Sequence, residues 1–184
     1  VPRSMADPVT TTTANVVGTM NVLLAAKDAG ARRFVMAASS SAYGETTADE
    51  QVETMTPAPI SPYAASKVAC EVYCRSFHRA FGLETVGLRY FNVFGPRQDP
   101  TSQYSAVIPK FITAVLEGHR PVIFGNGRQS RDFCFIENVV QANLLALEAR
   151  DAPGRVFNVG CGQTHDLLSL LAAIRSEEHT SELQ

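Results

Sequence analysis

The sequence predicts an α/β fold built on a parallel sheet, and three observations carry this. Short apolar runs alternate with longer helical patterns, the order expected of βαβ units. Polar residues of chemical interest follow the ends of those runs, where open α/β sheets hold their ligands. With 45% hydrophobic and 18% charged residues, the chain has apolar surface enough for a sizeable core and is unlike a disordered tail.

Taken in order, residues 10–29 form a helical pattern with Val16, Met20, Leu23 and Leu24 on one face and Gly30 as its stop. Residues 33–38 read as a buried strand, and 45–58 as a polar loop with Pro57 and Pro59 at its end. Ser61-Pro62 supplies an N-cap and a first-turn proline for a helix reaching Phe81, which Gly82 ends. Residues 85–90 are the next strand, with Asn92 at its carboxyl end. A loop at 96–100, a helix at 107–117 and a short strand at 122–124 follow. The remaining elements are a strand at 133–136, an amphipathic helix at 138–149, a strand at 155–159 and a helix starting at 166.

The chemistry concentrates in two segments. A serine run, Ser39-Ser40-Ser41-Ala42-Tyr43-Gly44, ends the first strand, and Tyr63 and Lys67 lie on the capped helix. Residues four apart share a helix face, so an ammonium sits beneath a phenol and favours its ionised form. A phenol, an ammonium and a hydroxyl together can take a proton from an alcohol oxygen. With 5 Tyr and lysines only at 27, 67 and 110, roughly 0.08 accidental Tyr-x-x-x-Lys pairs are expected.

Other classes fit poorly. A net charge of −2 provides no basic field for nucleic acid. No run reaches the roughly 18 apolar residues of a membrane span. The 4 Cys include no Cys-x-x-Cys pair, which suits a reducing cytoplasm. Cys70, Cys74 and His78 line up along one helix, but three ligands on one helix face do not close a tetrahedral metal site, so they read as packing and no metal is expected.

These residues resemble the Ser–Tyr–Lys site of the extended short-chain dehydrogenase/reductase superfamily, in its NAD-dependent epimerase/dehydratase branch. The segments Val1-Pro2-Arg3-Ser4, Asn15-Val16-Val17-Gly18-Thr19, Leu88-Arg89-Tyr90-Phe91-Asn92-Val93-Phe94-Gly95, Val107-Ile108-Pro109-Lys110 and Ser130-Arg131-Asp132-Phe133 agree in order and spacing, and together most resemble bacterial UDP-N-acetylglucosamine 4-epimerases. The resemblance implies a Rossmann-like, doubly wound parallel sheet with part of a small substrate-binding lobe. It implies an NAD-binding domain from 1–94 and 131–160, and a lobe from 95–130 and 161–174. The Gly-rich pyrophosphate turn that opens such domains is not in this sequence, so the chain reads as lacking the family's N-terminal region, and alone it is expected neither to hold NAD tightly nor to turn over substrate. Residues 175–184 match the translation of a common sequencing adapter and read as an artefactual tail.

By resemblance, Tyr63 takes the proton of the substrate 4-hydroxyl, Lys67 holds the nicotinamide ribose and keeps Tyr63 acidic, and Ser39 binds the same oxygen. Asn15, Ser39, Tyr63, Lys67 and the Phe91 backbone match NAD contacts; Ser40, Asn92, Ala106, Val107, Lys110 and Arg131 match UDP-sugar contacts. Phe124 departs from the asparagine of the nearest relatives. Arg131 also reads as a surface ion pair with Asp132, Asn92 as a loop cap and Asn15 as a helix-surface residue. The expected activity is cytoplasmic UDP-sugar 4-epimerisation through a 4-ketose, in a homodimer packed through the 62–81 helix. The alternatives are a 4,6-dehydratase or decarboxylase, or a homologue that binds nucleotide without catalysis. Dehydratases of the family place Asp-Glu where Ser40 and Ser41 stand here, and the decarboxylases usually keep a glutamate at the second position.

Overall fold

A computed structural model describes residues 1–48, 50–99 and 107–181. In chain order the elements are α1 (Pro2–Ala6), α2 (Pro8–Thr12), a π-helical turn (Thr13–Val17), α3 (Gly18–Asp28), β1 (Arg33–Ser39), a 3₁₀ turn (Ser40–Tyr43), α4 (Pro62–Phe81), β2 (Glu84–Tyr90), β3 (Asn92–Phe94), α5 (Val107–Leu116), β4 (Ser130–Phe135), α6 (Ile136–Glu148), β5 (Val156–Val159), β6 (Thr164–Asp166) and α7 (Leu167–Ser181). They fall into two compact units, one of residues 1–91 with 137–159, the other of residues 92–136 with 160 onward.

The first unit is a parallel sheet in the order β1-β2-β5. The β1–β2 register runs from Arg33 opposite Glu84 to Ser39 opposite Tyr90, and β5 joins through Gly87 opposite Val156. Parallel neighbours need a crossover, and α4 supplies it between β1 and β2. The central strand β2 is buried from Thr85 to Arg89, as expected of a strand covered on both faces. Leu23 of α3, Met36 and Ala38 of β1, Cys70, Cys74 and Phe77 of α4 and Leu83 close one core, with Val16, Ala26 and Phe34 against it. Each large side chain buried there is worth about 1.5–3 kcal/mol. Arg33 ties the start of β1 to its surroundings, donating Nη1 to the Ala146 and Ala149 carbonyls at the end of α6 and pairing with Glu84.

In the second unit β3 runs parallel to β4, and β4 antiparallel to β6, with Arg131 opposite His165. Helix α5 buries Ile108, Phe111 and Val115, a spacing of three and four.

Three sequence expectations change. Among the described residues, 122–124 pair with no strand, and Val122 and Phe124 are 72% and 82% exposed. Strand β4 starts at Ser130 rather than 133, because Ser130, Arg131 and Asp132 find partners in β6, and Ile136 opens α6 instead of ending the strand. The expected helix at 10–29 is interrupted by the π-helical turn.

Candidate active site

Helix α4 is fixed at both ends. Ser61 Oγ accepts the Ala64 N–H at 3.2 Å, Pro62 occupies the first turn, and Gly82 takes the left-handed conformation at φ 73°. Tyr63 and Lys67 are both half-buried on this helix. Lys67 Nζ lies 5.8 Å from the Tyr63 ring centroid and donates to the Ala37 carbonyl of β1 at 2.9 Å. The ammonium therefore stands beside the phenol ring and is tethered to the strand that ends in Ser39.

Ser39, extended at φ −150° and ψ 139°, caps the 3₁₀ turn: its Oγ accepts the Ser41 N–H at 3.2 Å and lies 2.8 Å from Ser41 Oγ. Ser40 sits half-buried in that turn. Gly44 ends it at φ +66°, where an added Cβ would strike the Ala58 carbonyl, so only glycine serves there.

The Asn15 side chain does not reach outward. Its Nδ2 donates to Ser66 Oγ at 2.8 Å, and Ser66 in turn donates to the Tyr63 carbonyl at 2.7 Å. The Asn15 carbonyl, in the π-helical turn, accepts the Cys70 thiol at 3.3 Å. Phe91 N–H donates to Val159 O at 3.1 Å. Sequence reasoning missed Ser66, which reads as one more helix serine until the fold brings Asn15 against it. It also missed a buried ion pair one turn beyond Lys67, where Arg89 donates Nε and Nη2 to the Glu71 carboxylate at 2.9 and 2.7 Å. A charged residue amid the apolar strand Val86–Tyr90 was the available signal.

Cys70 and Cys74 belong to the core, and burial, with Cys70 and Glu71 close by, pushes the Cys74 thiol up to about 12, so it stays protonated. His78 Nδ1 lies 3.1 Å from the Leu83 carbonyl. Among the described residues no group of three or more side chains is set to hold a metal.

Within the second unit, Asn92 Nδ2 donates to the Asp132 carbonyl at 2.9 Å, and Arg131, exposed, donates to the Ser130 carbonyl. The Asp132 carboxylate accepts the Cys161 and Gly162 N–H groups at 2.9–3.0 Å. Val107 is half-buried and Lys110 exposed on α5; Ala106 lies outside the described residues.

A parallel sheet with a tyrosine–lysine helix and a serine turn at the carboxyl end of its strand defines a class of dinucleotide-dependent enzymes, and sequence comparison names it. The model of the NAD dependent epimerase/dehydratase family matches residues 1–160, and the chain belongs to that family. It is 40% identical over 175 residues to the UDP-glucose 4-epimerase of Mycolicibacterium smegmatis, covering 95% of this chain and 55% of that protein. The UDP-N-acetylglucosamine 4-epimerase of Methanobrevibacter ruminantium, solved with UDP-N-acetylmuramic acid, superposes with a TM-score of 0.92 at 42% identity, covering 96% of this chain and 56% of that one. The dTDP-glucose 4,6-dehydratase of Streptomyces venezuelae, solved with NAD bound, follows at TM-score 0.85 and 30% identity, over 96% and 53% of the two chains. The chain thus spans about half the length of the curated relatives it matches. Among the described residues no helix is long and apolar enough to cross a membrane.

Proposed function

We propose that the full-length protein is an NAD-dependent UDP-sugar 4-epimerase, converting UDP-N-acetylglucosamine or UDP-glucose to the galacto epimer. The observation that carries this is the Tyr63–Lys67 pair, with its ammonium beside the phenol ring and anchored to the Ser39 strand. Tyr63 takes the proton of the sugar 4-hydroxyl and later returns it; Ser39 hydrogen-bonds the same oxygen. Lys67 stabilises the phenolate and offers its remaining N–H donors to the nicotinamide ribose. The residues fit a bound NAD: a half-buried ammonium and phenol sit on one helix beside the parallel sheet, at whose carboxyl ends Ser39 and Phe91 lie. Held by these residues, NAD would supply the reversible hydride acceptor that the oxidation and re-reduction of C4 require. Because Phe91 commits its N–H to Val159, its carbonyl is the backbone group left for the cofactor. Asn15 serves the cofactor indirectly, holding Ser66 and through it the first turn of the catalytic helix. Ser40 of the serine turn, and Asn92, Ala106, Val107, Lys110 and Arg131, are assigned to the UDP-sugar, the arginine to a phosphate. The active form is a cytoplasmic homodimer joined through α4.

Ser40 and Ser41 favour epimerisation over the dehydration of the Streptomyces relative, because neither hydroxyl can act as the acid or base that eliminates water. Incubation with UDP-N-acetylglucosamine followed by mass spectrometry tests this. Product of unchanged mass and galacto configuration is expected. A product lighter by one water overturns the assignment, and recovery of the substrate alone points to a non-catalytic homologue.

A further inference from the structure

We infer that Glu71, Arg89 and Tyr43 form a clamp that sets where Tyr63 and Lys67 stand relative to the serine turn, with Tyr43 a positioning residue for proton transfer; this rests on the epimerase reading. Tyr43, Glu71 and Arg89 are only 2–3% exposed. Glu71 continues the stripe of Tyr63 and Lys67, four and eight residues on, about 12 Å along the helix from Tyr63. The Arg89 fork grips both of its oxygens, and a bidentate pair fixes direction as well as distance, so it sets the rotation of α4 about its axis. Arg89 stands opposite Ala38 in the β1–β2 ladder, one residue before the Ser39–Tyr90 pair. The other side of the guanidinium meets Tyr43, the last residue of the serine turn, with Cζ 4.7 Å from the ring centroid.

Tyr43 is held in its turn. Its hydroxyl donates to Asn158 Oδ1 at 2.6 Å, and Asn158 receives a second anchor by donating Nδ2 to the Gln51 carbonyl and its backbone N–H to Glu53 Oε1, both at 2.7 Å. Burial pulls the Arg89 guanidinium down, but its two bonds to Glu71 hold it above its ordinary value, so the guanidinium stays charged. A buried ion pair adds little net stability over apolar side chains of the same volume, whereas orientation is what such a pair provides and an apolar trio does not. The chain of contacts joins the two halves of the catalytic set: Ser39 by way of the serine turn, and Tyr63 with Lys67 by way of Glu71.

The test compares Tyr43→Leu and Tyr43→Phe in the full-length protein, reading kcat and KM for UDP-N-acetylglucosamine and the thermal midpoint. Misplacing a reacting group by about 1 Å costs about 100-fold, so Tyr43→Leu should lower kcat about 10- to 100-fold with KM within about twofold. Tyr43→Phe keeps the ring over Arg89 and should recover most of the loss. A Tyr43→Leu enzyme with wild-type kcat, a change confined to KM, an equal loss in both variants, or a Tyr43→Leu protein that does not fold assigns the residue to binding or stability and overturns the clamp. Absence of epimerisation by the wild-type protein instead defeats the functional reading.

Discussion

Tyr63→Phe should lower 4-epimerisation by the full-length protein by about 10²–10⁴-fold, the span general acid–base catalysis supplies, while NAD stays bound. The substitution removes one oxygen and keeps the ring that Lys67 approaches at 5.8 Å, so helix α4 and the ammonium's bond to the Ala37 carbonyl persist. Tyr63 is the one phenol in the chain with a lysine four residues on, and no second phenol takes over the proton. Steady-state rates with UDP-sugar, beside cofactor content from absorbance, separate the two effects. Near-normal turnover by the variant removes Tyr63 from the mechanism.

The second large effect concerns stability. Glu71→Leu leaves the Arg89 guanidinium charged and uncompensated in a site where both side chains are 3–4% exposed, a change that costs about 3–5 kcal/mol. Replacing both residues, Glu71→Met with Arg89→Met, removes the stranded charge and should recover most of that stability, since apolar substitutes for a buried pair are often neutral. The denaturant midpoints of the single and double variants measure the difference. Equal losses in the two would mean that packing volume, not the charge, holds this junction. The double variant also bears on the clamp, for it is expected to fold well and still turn over slowly.

Helix α4 was legible in the sequence because its determinants are local: a serine cap, a proline in the first turn, a glycine at the end, and a tyrosine–lysine spacing that one helix face must honour. The strand before the serine turn was legible for the same reason, as a short apolar run with a polar end. What the sequence hid depends on partners distant along the chain. Val122-Ile123-Phe124 has strand composition, yet a strand needs a ladder, and it finds none among the described residues. Conversely, the exposed Ser130 and Arg131 open a strand only because residues 164–166 pair with them. Asn15 read as either a surface residue or a cofactor contact, and its bond to Ser66, 51 residues away along the chain, has no local signal. The Arg89–Glu71 pair joins the middle of helix α4 to strand β2, and composition says only that a charge in a buried strand needs a partner, not which one.

Isotope retention at the reacting carbon tests the central claim most directly. UDP-N-acetylglucosamine deuterated at C4, incubated with the full-length protein, should give a mixture of the two 4-epimers with the deuterium still on C4, because the hydrogen leaves and returns without exchange with water. Loss of the label to solvent, or inversion at a carbon other than C4, would contradict it.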